Sequence, residues 1–228
     1  MNPLSGVLGE AWQMYRRYAA HLLLIAFVIY LAAAIVAAVL DLAGGAVGAL
    51  LAAVAELLAA FLLQAALVKA VQDVRDGRAD MSLSNTVSAA TPYLLPVAAA
   101  SILAGIAITI GLAIFVIPGL ILLTIWAVII PVIVLERSSP LASFGRSWQL
   151  VRGRAWHVFA TLVLVFLILL VADLVLAVIF SALPLLVRSG LSTVISGTLV
   201  APFLALVVTL VYYRLSGIET PGQPWPPR

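Results

Sequence analysis

The sequence predicts an all-α polytopic membrane protein. Six transmembrane helices form three hairpins, each preceded by an amphipathic helix lying in the membrane interface. Three observations lead there. Apolar residues make up 65% of the chain and charged residues 9%, whereas a soluble domain carries roughly 25% charged residues. Several apolar runs reach the roughly 20 residues that a helix needs to cross a hydrocarbon core about 30 Å thick. The segment WQMYRRYAAH (12–21) also returns as WQLVRGRAWH (148–157), with five of ten positions identical and each copy directly before a long apolar run.

Each element has its own signal. In the first surface helix Leu4, Val7, Leu8, Ala11, Tyr15 and Tyr18 recur at helical spacing, with Glu10, Gln13 and Arg17 elsewhere on the wheel. Asn2 and Pro3 read as its N-cap and first helical position. The first crossing runs about His21–Leu40 and the second about Val47–Ala70. The short turn DLAGG between them implies antiparallel neighbours. DMSLSNTVSAATPYLLP (80–96) is a degenerate copy of the surface segment, with Leu83 and Val87 but no Trp, and Pro92 is expected to interrupt it. The third and fourth crossings, Leu94–Val116 and Leu120–Leu135, flank the turn IPG.

Ser139–Pro140 repeats the start signal, and Leu141, Phe144, Trp148, Val151 and Ala155 form the next stripe. The fifth and sixth crossings are Val158–Phe180 and Leu191–Tyr213, joined by SALPLLVRSG. Pro131 and Pro202 are expected to kink their helices. The small-residue pairs Ser101–Gly105 and Ala107–Gly111 read as packing contacts. Residues 1–215 thus form one membrane domain. Its units, about 1–78, 79–137 and 138–215, are parallel repeats related by an axis along the membrane normal. The proline-rich tail 216–228 is expected to be disordered.

Charge sets the expected orientation. Arg16 and Arg17 precede the first crossing, and Lys69, Arg75 and Arg78 lie between the second and third. Arg137, Arg146, Arg152 and Arg154 lie between the fourth and fifth, and Arg214 and Arg228 follow the sixth. Only Arg188 falls on the other side. Such a skew puts both termini and the two long connections in the cytoplasm. MNPLSGVLGEAWQMYRRY lacks the layout of a signal peptide, so the first apolar run is expected to remain as an anchor. The net charge of +3 reads as this asymmetry rather than as a nucleic-acid surface.

Two groups of residues are candidates for function. Glu56 lies on the line Gly44, Gly48, Ala52, Glu56, Ala60, Gln64, and small residues four apart mark a close helix contact. The expectation is that Glu56 points into the bundle near mid-depth. Asp173, about 24 Å from His157 along the helix, belongs nearer the outer surface, with Ala177 and Ser181 on its face. Either these acids line a proton- or cation-linked path, or they are structural, with Glu56 protonated and Asp173 paired with Arg188.

The second group is interfacial: Arg16, Arg17, His21, Arg146, Arg152, Arg154 and His157, with the anchors Trp12, Trp148 and Trp156. These either build a site for a phosphate-bearing lipid between units or only anchor and orient the chain. The histidines read as interfacial hydrogen-bonding groups. The chain has no cysteine and no HExxH, so no metal or cofactor is expected. No nucleophile elbow, phosphate-cradling loop or paired catalytic carboxylates appear, and no enzymatic activity is expected.

One stretch carries a family resemblance. Pro118, Gly119, Pro131, Glu136, Ser147, Trp148, Leu150, Arg152 and Gly153 stand in a pattern of Pro-Gly turn, apolar helix with internal proline, Glu, then Ser-Trp-x-Leu-x-Arg-Gly. This resembles the membrane-domain family named after glycerophosphoryl diester phosphodiesterases, and GEAWQMYRR resembles that family's opening. The likeness covers about forty residues closely and the rest loosely. Some members carry a catalytic barrel of roughly 250 residues, and no soluble segment of this sequence approaches that length. The resemblance therefore implies the membrane unit without the phosphodiesterase chemistry. The expected function is a non-catalytic multi-pass protein of a bacterial-type cytoplasmic membrane. It would contact anionic lipids, a membrane partner or a second copy, with a role in envelope or lipid homeostasis. The alternative is a transporter of ions, small molecules or lipids that uses a polar interior around Glu56.

Overall fold

The computed structural model describes residues 4, 6–42, 44–76, 81–182 and 185–217, without the side chains of 182–193. Asn2, Pro3, Arg78, Arg228 and the tail from 218 onward fall outside the described residues, as does the side chain of Arg188. Ten α-helices are described: α1 (Val7–Arg17), α2 (Ala19–Leu42), α3 (Gly45–Arg75), α4 (Leu83–Ala90), α5 (Leu94–Ile114), α6 (Val116–Ile125), α7 (Ile129–Glu136), α8 (Pro140–Val151), α9 (Ala155–Ile179) and α10 (Leu185–Ser216). No strand occurs among the described residues.

Six stretches are long and apolar enough to cross a membrane: Ala19–Leu42, Gly45–Arg75, Leu83–Ile114, Val116–Glu136, Ala155–Ile179 and Val194–Ser216. The chain is therefore an all-α, multi-pass membrane protein. The pairs α2/α3, α5/α6 and α9/α10 pack against each other. With six spans, the shorter helices α1, α4 and α8 stand at the start of the first, third and fifth spans and so lie at the same end of the bundle.

The hairpin α5/α6 turns on a single residue, earlier than the expected IPG turn, whose residues instead lie in the first turn of α6. Phe115 is extended (φ −156°, ψ 137°), and beyond it the helices meet at glycines. A Cβ on Gly111 would lie 3.1 Å from Gly119 Cα, and one on Gly119 would collide with Leu112 Cγ. Inside a bilayer the lipid tails remove the hydrophobic drive between helices, so such close backbone packing carries the association. Gly105, expected to take part, faces open space.

Burial is uneven along the spans. It concentrates at the surface-helix end: Phe61, Leu63 and Ala65–Val68 with Val71 and Val74 on α3, Val132–Val134 on α7, and Leu206, Val207, Leu210 and Val211 on α10. Toward the opposite end Ile35, Val39, Leu50, Ile106, Ile110, Phe166 and Leu174 are exposed. The bundle is tight where the surface helices sit and open at the far end, and α3 contacts α2, α4, α5, α7 and α10.

Pro131 shapes the fourth span. Proline has no N–H and its ring collides with the carbonyl four residues back, here Ala127. The span breaks there into α6 and α7. Ile129 N–H turns to the Trp126 carbonyl (3.2 Å), bypassing Ile125. The Ser147 hydroxyl of α8 donates to that Ile125 carbonyl at 2.7 Å, from a fully buried position. Pro202, by contrast, lies within α10 without ending it.

This joint divides the expected stripe of α8. Val151 is buried and Phe144 and Ala155 pack against the core, Leu141 and Trp148 are exposed, and Ser143, Ser147 and Leu150 are buried as well. Two hydroxyls win the inner face over larger apolar groups because each has an acceptor, Ser143 reaching the Pro140 carbonyl at 2.6 Å, and because small side chains let α8 approach closely. Ser147→Ala should lower stability by about 1–2 kcal/mol, the cost of leaving a buried carbonyl unbonded. A midpoint equal to wild type in a denaturant series in detergent would refute the account.

The first surface helix follows its predicted stripe. Leu4, Val7 and Ala11 are buried and Leu8, Tyr15 and Tyr18 are half-buried. The degenerate segment also folds. Ser82 caps α4 by accepting from Asn85 N–H (3.2 Å), and Pro92 falls in the 3₁₀ turn Thr91–Tyr93 that leads into α5, so it does not interrupt α4.

Candidate functional site

Each surface helix is fastened to the last helix of a hairpin, and each joint is polar. On α8, Arg146 Nε donates to both carboxylate oxygens of Glu136, at 3.0 and 2.9 Å. The hydroxyl of Tyr212, 1% exposed, donates to Glu136 Oε1 at 2.9 Å. Glu136 thereby links α7, α8 and α10. The hydrogen bond to the carboxylate raises the pKa of Arg146 further, so its guanidinium stays charged. On α1 the polarity is reversed: Glu10 is the surface-helix partner and accepts from Arg214 at 2.5 Å.

Tyr15 donates to the Leu199 carbonyl at 3.0 Å, and Trp12, Tyr15 and Phe203 form an aromatic cluster with centroids 5.9 to 6.3 Å apart. The contacts of α1 therefore extend from Arg214 to Leu199, about 22 Å along α10 at 1.5 Å per residue. α1 leans along α10 rather than resting only on its end. On α4 the joint is simpler, with Asp73 accepting from Met81 N–H at 3.1 Å.

The interfacial candidates divide. Arg16, Arg17, Arg152 and Arg154 are exposed, and none has a carboxylate partner among the described residues. Arg17 lies over the Tyr18 ring. Trp12, Trp148 and Trp156 are also exposed, as amphipathic rings at a headgroup layer are. Arg146 is different, because its guanidinium is held by Glu136. His21 and His157 are half-buried. His21 Nε2 is buried without a hydrogen-bond partner among the described residues. No group of three or more metal-ligating side chains occurs among the described residues.

The intramembrane candidates are not brought together. Glu56 is exposed rather than packed inside the bundle, a correction with a simple geometric cause. A line of residues four apart drifts about 40° per step around a 3.6-residue helix. The packed face instead follows Gly48, Ala52, Ala55 and Ala59, steps of four, three and four, of which Gly48 and Ala52 are buried. Glu56 falls off its edge. Gln64 is half-buried, with Oε1 lacking a partner. Asp173 is exposed and accepts from Ser196 of α10, a partner its sequence neighbourhood did not indicate, while Ala177 and Ser181 are exposed on its face.

Sequence reasoning missed the roles of Glu136, Tyr212, Glu10 and Arg214. A trace was present: Glu10 and Arg146 each stand two residues before a repeated Trp, which marks that position as one that faces something. The fold defines a polytopic α-helical membrane protein, and its surface helices expose arginines and tryptophans. Comparison with family models, with curated proteins and with solved structures finds no match to the chain.

Proposed function

We propose that this is a non-catalytic, multi-pass protein of the cytoplasmic membrane whose surface-helix face holds anionic lipid headgroups. The observation that carries the reading is the set Arg16, Arg17, Arg152 and Arg154, exposed and without carboxylate partners among the described residues, beside exposed Trp12, Trp148 and Trp156. Each cation at an anionic leaflet contributes roughly 1 kcal/mol. The same cations argue that this face and both termini are cytoplasmic.

We also infer a threefold repeat. With Trp12 set against Trp148, Glu10 stands at the position of Arg146. Both dock onto the second helix of another unit's hairpin, α1 onto α10 and α8 onto α7, as α4 docks onto α3 of another unit. Three such joints close a ring. The motif from Pro118 to Gly153 supports kinship with the membrane-domain family named above and, by analogy, a role in lipid or envelope homeostasis. The transport alternative loses its central residue, because Glu56 does not line an enclosed interior.

The test uses spin-labelled lipids around the purified full chain in mixed bilayers. Wild type should prefer phosphatidylglycerol to phosphatidylcholine, and changing the four arginines to glutamine should abolish that preference, each charge contributing about a fivefold factor. A preference that survives all four changes would sink the reading. In that case a partner protein or a second copy becomes the candidate occupant of this face.

A further inference from the structure

A cleft of about 560 Å³ opens on the surface-helix face among α3, the α4–α5 junction and the α7–α8 link. Its walls include Lys69, Pro92, Tyr93, Pro96, Arg137 and Ser138. None of these belongs to the exposed arginine set above. Two cations from helices far apart in sequence line the cleft, and no carboxylate does. The adjacent acids are engaged elsewhere: Asp73 accepts from Met81 N–H, and Glu136 is taken by Arg146 and Tyr212.

Both cations are held in a particular way. Lys69 Nζ sits 5.2 Å from the centre of the Tyr93 ring and 3.4 Å from Gln72 Oε1, which fixes the flexible ammonium at the cleft wall. Arg137 caps α7 in the left-handed conformation, φ 53° and ψ 37°. Among the described residues it is the sole non-glycine with positive φ. Glycine adopts this conformation freely, and any other residue is strained there. An arginine kept in that position points to a use for its side chain, and it has no ion-pair partner among the described residues. A cation also suits the negative end of α7, but that would not bring Lys69 to the same cleft from α3.

We propose that this cleft binds a phosphate ester, with Arg137 as a bidentate fork, Lys69 as a point charge, and Tyr93, Pro92 and Pro96 against the adjoining apolar part. Its volume falls within the range of about 300–1,000 Å³ usual for small-ligand sites. The phosphate belongs either to a lipid headgroup or to a soluble ester. The inference rests on the lipid reading above only for the presence of anionic headgroups at this face.

Native mass spectrometry and thermal unfolding of the full chain test it, with dioctanoyl phosphatidic acid and glycerol 3-phosphate as probes. Wild type should retain phosphatidic acid over phosphatidylcholine. Lys69→Met and Arg137→Gly should each weaken retention about tenfold. Arg137→Gly should leave the ligand-free midpoint unchanged or raised, because glycine relieves the left-handed strain. Competition by glycerol 3-phosphate would identify the phosphate alone as the recognised group, and its absence would identify the lipid as the source. Either result supports the site, provided the two variants lose binding. Equal retention of both lipids by wild type, or wild-type binding by both variants, overturns it. Changing Arg16, Arg17, Arg152 and Arg154 to glutamine should spare this retained molecule; its loss there would also overturn the cleft assignment, whereas the spin-label result judges the surface-helix reading separately.

Discussion

Replacing Glu136 with alanine should destabilise the protein by about 2–4 kcal/mol, more than any other single substitution at the joints between surface helices and spans. Most of it comes from the Tyr212 hydroxyl, which is buried at 1% exposure and donates to Glu136 Oε1. Without the carboxylate, that donor has no acceptor, and an unsatisfied buried polar group costs about 1–3 kcal/mol. The Arg146 pair adds at most about 1 kcal/mol, because its side chain is 41% exposed and screened.

The apportioning can be checked. Tyr212→Phe removes donor and demand together and should cost only about 1 kcal/mol, and Arg146→Gln should cost less. The joint between α1 and α10 carries the opposite polarity, Glu10 on the surface helix and Arg214 on the span. Exchanging the charges, Glu136→Arg with Arg146→Glu, should therefore recover part of the loss. Reversible unfolding in mixed micelles reads all four. If Glu136→Ala unfolds at the wild-type midpoint, the α7–α8–α10 joint does not hold the face together.

Gly119→Ala should cost about 1–3 kcal/mol, toward the upper end. The added Cβ would collide with Leu112 Cγ and come 2.7 Å from Leu112 N. A side chain could swing away, but the backbone nitrogen moves only if α5 and α6 separate. With Phe115 as the whole connection, the hairpin has little slack to absorb that. Gly105→Ala is the matched control on α5. Its Cβ would meet nothing within 4 Å, and alanine is the better helix former by roughly 0.5–1 kcal/mol. The two substitutions should move the unfolding midpoint in opposite directions. Equal effects would mean that the α5/α6 crossing is not set by glycine contact.

The six spans and the inner face of α1 were legible in the sequence, because hydropathy, run length and helical periodicity are local properties. Two of the turns were not, since IPG lies inside α6 and residues 185–190 lie inside α10. Leu4, Val7 and Ala11 are buried as their spacing predicts. Even the weak segment around Leu83 forms a capped helix.

What needed the tertiary structure has one cause: side chains in a membrane bundle answer to partners distant in sequence. Ser147 turns inward because Pro131 frees the Ile125 carbonyl, 22 residues earlier in the chain. Tyr212 meets Glu136 across 76 residues. Lys69 and Arg137 enter one cleft from different hairpins. Glu56 stands outside the packing because the contact face of α3 follows the helix pitch rather than a fixed step of four. Periodicity identifies which residues share a side of a helix. Only the neighbouring helices decide which side is packed, and which polar group finds a partner there.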